Sequence, residues 1–85
     1  MGRIDLLCKD INNNFVVIEI KKGLSSDQAI GQISRYMGWV QDHLAKNKEN
    51  VRGIIILRQK DALLDYAIKA NQKIKIKEFD LSFTD

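Results

Sequence analysis

Apolar and polar residues alternate near the start of this chain, which is the pattern of β-strands. Residues 3–9 (RIDLLCK) and 15–21 (FVVIEIK) follow a period of two, and the second segment is rich in β-branched residues. The segment DINNN between them carries asparagines, which tolerate left-handed backbone and hydrogen-bond locally in turns. We therefore predict an antiparallel hairpin that ends at Gly23, because glycine breaks a strand.

A helical period follows from residue 26 to about residue 46. The stretch SSDQ offers a serine N-cap and an acidic residue for the first turn. A second, shorter helix is predicted for DALLDYAIKAN, residues 61–71, with Asp61 as its cap. Apolar residues recur at steps of three and four along the first helix and predict one buried stripe: Ile30, Ile33, Met37, Val40 and Leu44.

Two more strands complete the pattern. GIIIL at residues 53–57 is a continuous apolar run, as expected of a central strand covered on both faces. IKIKEFDL at residues 74–81 places Ile74 and Ile76 inward and lysines outward, which is typical of a protected edge strand. The order β-β-α-β-α-β predicts an α/β fold with a mixed sheet, in which the helical crossovers bring the later strands in parallel.

Length and composition narrow the class of protein. The chain has 85 residues, so we expect one domain over residues 1–85, and it is 45% hydrophobic and 29% charged. It has neither an apolar run of about 18 residues nor a signal-like start, so we expect a cytoplasmic protein without a membrane segment. The single cysteine, Cys8, excludes an internal disulfide and argues against a thiolate metal site. A net charge of +3 weakly favours a polyanionic partner.

The hairpin carries the candidate chemistry. Glu19 and Lys21 share one face of the second strand, and Asp5 lies among apolar neighbours on the first. If the hairpin pairs about the asparagine turn, Asp5 lies opposite or diagonal to Glu19. Two close carboxylates repel unless a cation lies between them, and oxygen ligands suit Mg²⁺ or Mn²⁺. The alternative is a solvated strand, where a Glu19–Lys21 surface pair contributes about 0–1 kcal/mol.

At this point the sequence resembles a known family. "GRIDLL" followed by "VVIEIKKG" resembles the metal-binding core of the PD-(D/E)XK nucleases, in which an Asp strand precedes Glu-x-Lys; here these are Asp5, Glu19 and Lys21. "DQAIGQISRYMGWV" is similar to the Gln-x-x-x-Tyr segment in the C-terminal domain of NucS-type endonucleases, which falls on Gln32 and Tyr36. "VRGIIIL" matches the strand after that helix, so the resemblance covers nearly the whole chain.

The resemblance implies a restriction-endonuclease-like domain that hydrolyses phosphodiester bonds in DNA. Asp5, Glu19 and the carbonyl of Ile20 would hold one or two Mg²⁺ ions (or Mn²⁺). Lys21 would position the attacking water, and Gln32 would brace the site from the helix. Residues expected to contact nucleic acid are Arg3, Lys22, Arg35 and Tyr36.

The aromatic residues and the histidine have competing interpretations. The rings of Tyr36 and Trp39 could stack on bases. Packing is favoured for both, because they adjoin the apolar stripe. His43 lies near the C-terminal end of the helix, where a positive imidazole suits the helix dipole, and we expect no catalytic role for it.

The chain also departs from the family pattern. The Pro-Asp of the family name is Ile4-Asp5 here. The family core starts with a helix and a further strand, and both are absent from this sequence. We therefore expect an uncovered sheet face that pairs with a second copy, or a missing N-terminal segment or domain that supplies the rest. Two alternatives stay open: a non-catalytic DNA-binding or oligomerisation module that keeps the nuclease fold, and a purely structural fragment.

Overall fold

The computed structural model describes residues 4–59 and 61–79, and the order of its elements is the predicted one. The four strands form one sheet in the order β1-β2-β3-β4, antiparallel between β1 and β2 and parallel elsewhere. The predicted α/β fold with a mixed sheet is therefore confirmed. The elements are β1 (Leu6–Lys9), β2 (Phe15–Ile20), α1 (Ser26–His43), β3 (Val51–Leu57), α2 (Ala62–Ala70) and β4 (Ile74–Glu78).

The hairpin forms as predicted, with a shorter first strand. Its ladder runs from Leu6 opposite Ile18 to Lys9 opposite Phe15, so Asp5 lies just before β1. Asn13 adopts the left-handed backbone expected of the turn, with φ 67°. The turn thus fixes a register that brings Asp5 to the end of β2.

Helix α1 begins at the predicted serine cap and ends earlier than predicted. Ser25 and Gln28 form a reciprocal capping box, while the helix ends at His43 rather than near residue 46. Leu44, expected in the buried stripe, is the C-cap and is 39% exposed, because the chain leaves the helix there. Neither described helix is long and apolar enough to cross a membrane. The buried apolar stripe runs along Ala29, Ile33, Tyr36 and Val40, with Ile30 and Met37 partly buried.

Both helices lie on one face of the sheet and pack against each other, as expected for two consecutive crossovers that run in the same direction with the usual right hand. Gly53 admits α1 at close range, since a Cβ at this position would lie 2.7 Å from Cδ1 of Ile33. The prediction that β3 is covered on both faces is wrong: alternate residues are buried, and Ile54 and Ile56 are only half-buried. We call the uncovered apolar surface the open face; its residues are Leu6, Ile18, Ile20, Ile54 and Ile56.

Strand β4 closes one edge of the sheet in the predicted manner. Ile74 is buried and Ile76 packs against the core, while Lys75 and Lys77 are exposed. The predicted strand continued to residue 81, and its last two residues lie outside the described part of the chain.

Candidate active site

The predicted site lies where the parallel strands β2 and β3 end. Asp5 lies just before β1, and its Oδ2 accepts a hydrogen bond of 2.9 Å from the N–H of Ile20 on β2. This contact holds Asp5 against the last residue of β2, directly after Glu19. The carboxyl ends of parallel strands form the edge at which α/β proteins usually bind ligands.

Glu19 is the most unusual side chain of this edge. It is 2% exposed, and its Oε2 has no hydrogen-bond partner among the described residues. Burial raises the pKa of Glu19 to about 7; the charge of Asp5 adds to the rise and the charge of Arg35 opposes it. Buried polar atoms are normally paired, so an unpaired carboxylate oxygen indicates a group that a ligand completes.

The donor set at this edge fits a hard divalent cation. Asp5 and Glu19 supply carboxylate oxygens, one of which is unpaired. Within residues 4–59 and 61–79, no group of three or more His, Cys, Asp or Glu side chains forms a metal cluster. Mg²⁺ is nevertheless commonly held by one or two carboxylates together with water and substrate phosphate. The Ile20 carbonyl as a further ligand stays a prediction.

Lys21 follows β2 on the strand face of Glu19. Its backbone N–H donates to the carbonyl of Ile56 at 2.9 Å, which fixes its position beside β3, and the residue is half-buried. The positive charge of Lys21 also acts on Asp61, the residue just before α2. The pKa of Asp61 is lowered by the Ser26 hydroxyl first, then by backbone N–H groups and by the positive charge of Lys21.

Gln32 and Tyr36 form the pair that their spacing predicts. Nε2 of Gln32 donates to Oη of Tyr36 at 2.7 Å. The Tyr36 side chain is 3% exposed and belongs to the core. This burial favours packing over stacking on a base, so the predicted nucleic-acid contact of Tyr36 gains no support from its position.

The other residues predicted to contact nucleic acid differ in their surroundings. Arg35 is exposed, and its charge acts on Glu19. Lys22 is exposed on the loop after β2. Arg3 lies outside the described residues. Trp39 is 36% exposed, and its ring stacks on His43 with centroids 4.5 Å apart.

Two residues that the sequence does not connect meet where the loops after β2 and β3 lead into the helices. Oγ of Ser26 donates to Oδ2 of Asp61 at 2.7 Å, although the two residues are 35 positions apart. Asp61 was predicted only as a helix cap, and Ser26 only as part of a helix start. The signal that links them is topological: each begins a helix after one of two neighbouring parallel strands, so both lie at the same edge of the sheet.

Comparison with known proteins identifies the family. The family model of the Endonuclease NucS C-terminal domain matches residues 1–83. The endonuclease NucS of Methanocaldococcus jannaschii is 34% identical over 55 residues, and that of Sulfolobus acidocaldarius is 38% identical over 55 residues. Each match covers 65% of this chain and 20% of the relative, so the matched segment is a fifth of each relative's length. No solved structure matches the chain. The resemblance seen in the sequence is thereby confirmed, and the chain belongs to the family of endonuclease NucS C-terminal domains.

Proposed function

We propose that this chain is the nuclease domain of a metal-dependent DNA endonuclease that hydrolyses phosphodiester bonds. The observation that best supports this function is the Glu19 carboxylate, which is 2% exposed and beside Asp5, with an oxygen that has no partner among the described residues. A carboxylate with a purely structural role is normally satisfied by hydrogen bonds. Membership in an endonuclease family supports the same reaction class.

Each residue of the edge has a role in this proposal. Asp5 and Glu19, with the Ile20 carbonyl, would hold one or two Mg²⁺ or Mn²⁺ ions. Such an ion, when bound, polarises phosphate and makes a coordinated water more acidic. The Lys21 ammonium orients the water or neutralises charge that develops on the phosphate. The amide of Gln32 braces the site from α1.

DNA would approach the same edge of the sheet. Lys22 is exposed on the loop after β2, and Arg35 is exposed on α1, where its charge acts on Glu19; Arg3 belongs to the same proposed contact set. Such residues would pair with phosphates and position the strand without reading its sequence. A cytoplasmic location is part of this proposal.

A cleavage assay tests the function. Wild type, Glu19→Ala and Lys21→Ala are incubated with a mixed panel of fluorescent DNAs and Mn²⁺. Asp42→Ala and Lys46→Ala are the matched controls, because both residues are exposed, Asp42 in the last turn of α1 and Lys46 just beyond the helix. We expect cleavage by the wild type and both controls and none by the two site variants. Equal cleavage by all five proteins would contradict the proposal.

Metal binding provides a second readout that does not depend on cleavage. A ligand that binds the folded state raises its stability by mass action. We therefore expect Mn²⁺ to raise the melting temperature of the wild type and of Asp42→Ala, but not that of Glu19→Ala. An equal shift in all three proteins would place the ion elsewhere.

The second candidate is a non-catalytic DNA-binding or oligomerisation module, and the open face favours it. On this face Leu6 is 53% exposed and Ile20 is 39% exposed, and neither described helix covers them. Uncovered apolar surface of this kind commonly marks an interface. A homodimer joined through the open face is compatible with either candidate function.

Sedimentation of two variants tests the homodimer. Leu6→Lys places a charge on the open face, whereas Ile11→Lys changes a residue that is 98% exposed in the hairpin turn and off the sheet. We expect Leu6→Lys to be a monomer and Ile11→Lys to remain a dimer. A wild type that sediments as a monomer at high concentration would overturn the homodimer.

A further inference from the structure

Trp39 and His43 form a stacked pair on the surface of α1. Their ring centroids are 4.5 Å apart and their planes differ by 15°, so the two flat faces lie nearly parallel. Nδ1 of His43 donates a hydrogen bond of 3.0 Å to the backbone carbonyl of Trp39, which fixes the imidazole ring one helical turn after the indole. The helix itself therefore holds the pair in one orientation.

Both rings of the pair keep an exposed surface. Trp39 is 36% exposed, although tryptophan is highly buried on average, and the side chain of His43 is 52% exposed. The packing expected for Trp39 is thus only partial: its ring packs against His43, and it is not a member of the buried core of the described residues. Exposed aromatic faces are the surfaces on which nucleobases stack.

The pair lies on the flank of α1 that faces away from α2. Ser34 and Met37 of α1 line a cleft together with Ala70, the last residue of α2. Trp39 follows Met37 by two residues, which is about 200° around a helix. Since α2 lies on the β4 side of α1, the opposite flank lies on the β1 side, where no described helix covers it. The aromatic pair is therefore accessible from the side of the sheet on which Asp5 precedes β1.

Arg35 lies one helical turn before Trp39 and supplies the charge that a phosphate needs. It is exposed, and its Nη1 lies 3.5 Å from the position of a Cβ at Gly31, so the guanidinium points along α1 toward the start of the helix. That start follows the carboxyl end of β2, where Glu19 lies. A cation and an aromatic pair thus succeed one another along the flank, over about 12 Å from residue 35 to residue 43.

The surroundings of His43 favour the flat face of a base over a phosphate. The Asp42 carboxylate lies 3.8 Å from Nδ1 of His43, and its charge repels anions. A nucleobase is uncharged and stacks through its π-face, so it is compatible with that carboxylate. The chemistry along the flank therefore suits a phosphate at Arg35 and a base at the aromatic pair.

We propose that Trp39 and His43 form a platform on which one unpaired base of DNA stacks, while Arg35 holds a phosphate between the platform and the edge that carries Glu19. The platform lies outside the candidate active site and takes no part in the bond cleavage. That the ligand is DNA rests on the proposed function, whereas stacking of a base requires neither metal nor cleavage.

The fluorescence of Trp39 reports on the platform directly, because Trp39 is the only tryptophan of the chain. The protein is titrated in EDTA, where no metal-dependent cleavage occurs, with a short single strand of thymidines. The comparison strand has abasic sites in place of the bases and keeps the phosphates. We expect the thymidine strand to quench Trp39 and to bind about tenfold more tightly than the abasic strand, the size of effect that one stacked base produces.

Substitutions separate stacking from charge, with affinity measured by the anisotropy of a labelled thymidine strand. We expect Trp39→Ala to weaken binding about tenfold and Trp39→Phe to weaken it less, because a smaller ring remains. His43→Phe keeps a flat ring and should retain the affinity that His43→Ala loses. Tyr66→Ala is the matched control: Tyr66 is an exposed aromatic residue with a neighbouring cation, Nζ of Lys69 at 5.5 Å from its ring centroid, but it lies on α2. We expect Tyr66→Ala to bind like the wild type.

The outcomes distinguish the platform from the proposed function. Equal affinity of the wild type for the two strands, or unchanged affinity in Trp39→Ala, would mean that DNA is held by its phosphates alone and would overturn the platform, even if the protein cleaves DNA. Base-dependent binding with quenching, by a wild type that cleaves no DNA with Mn²⁺, would support the platform and reject the nuclease function. An equal loss of affinity in Tyr66→Ala and Trp39→Ala would assign binding to no particular flank and would also overturn the proposal.

Discussion

The two ends of the sheet hold carboxylates in opposite ways. At the hairpin-turn end, Asp10 accepts from the N–H groups of Asn12 at 2.9 Å and Asn14 at 3.0 Å, and it pairs with Arg52. The Asn14 N–H above all, together with Arg52 and Asn12, holds the pKa of Asp10 below its usual range. At the other end, burial raises the pKa of Glu19 to about 7, and one of its oxygens has no partner among the described residues.

The contrast separates a carboxylate whose oxygens are paired within the fold from one that the fold leaves with an unpaired oxygen. Both residues belong to one hairpin, so neither composition nor the kind of element explains the difference. The difference lies in the hydrogen-bond donors: the turn supplies N–H groups that donate to Asp10, whereas no described group donates to Oε2 of Glu19, which is buried and repelled by Asp5 with only the charge of Arg35 in opposition. A buried carboxylate that lacks hydrogen-bond donors can thus mark a candidate site.

The largest expected effect is on cleavage. Glu19→Gln keeps the size of the side chain but removes the negative charge, so we expect initial rates with Mn²⁺ to fall by more than about 100-fold, since loss of even an outer-shell partner costs 10–100-fold. Asp10→Asn, at the other end, should retain the wild-type rate within about twofold, because the site does not use that group. Equal losses in the two variants would remove the functional contrast between the ends.

The next effect is a pH dependence of stability in the absence of metal. The folded pKa of Glu19 is raised from 4.5 to about 7, so between these values the folded state keeps a proton that the unfolded chain has released. The free energy of unfolding should therefore fall as pH rises through this window, by on the order of 2 kcal/mol after allowance for solvent at the strand end. Urea unfolding at several pH values measures this free energy, and its fall with pH should disappear in Glu19→Gln.

Asp10 should have the opposite pH dependence. Its folded pKa is lowered from 3.8, so its contribution to stability is present above that value and is lost as pH falls through the folded pKa. Asp10→Asn should lower the melting temperature at neutral pH and reduce the acid sensitivity of the protein. Thermal melts from neutral to acid pH test this, and a variant that melts like the wild type throughout would show that the turn does not depend on the charge.

Local features of the sequence predict the elements well. The Ser25 and Asp61 caps, the asparagine turn and the break at Gly23 each depend on a few neighbouring residues, and the structure has all of them. The one-sided burial of β3 could not be predicted from the run GIIIL, because it depends on the face of the sheet on which the two crossovers place the helices. The end of α1 was also predicted too late, since Leu44 continues the apolar period but lies beyond the last helical residue.

In the candidate site, too, some features could be predicted from local sequence and others depend on the tertiary fold. The Asp and Glu-x-Lys pattern predicts which side chains share a strand face, and the hairpin register brings Asp5 to Glu19. The bond from Ser26 to Asp61 crosses 35 positions of sequence and arises only when two parallel strands lie side by side. The burial of the Glu19 side chain also depends on the packing of α1 over β2, which no local sequence pattern specifies.

The smallest expected effect comes from two of the left-handed positions, Asn13 at the hairpin-turn end and Gly23 at the other end. Asn13 has φ 67° and Gly23 has φ 69°, with nothing within 4 Å of a Cβ at Gly23. Because asparagine tolerates this backbone and glycine gains entropy in the unfolded chain, Asn13→Gly and Gly23→Asn should each change the free energy of unfolding by less than about 1 kcal/mol. Only Gly23→Asn should alter cleavage, by a few-fold, because the loop that it stiffens carries Lys21 and Lys22. Urea melts and initial rates on the two variants measure this, and a rate change in Asn13→Gly would mean that the two ends are coupled.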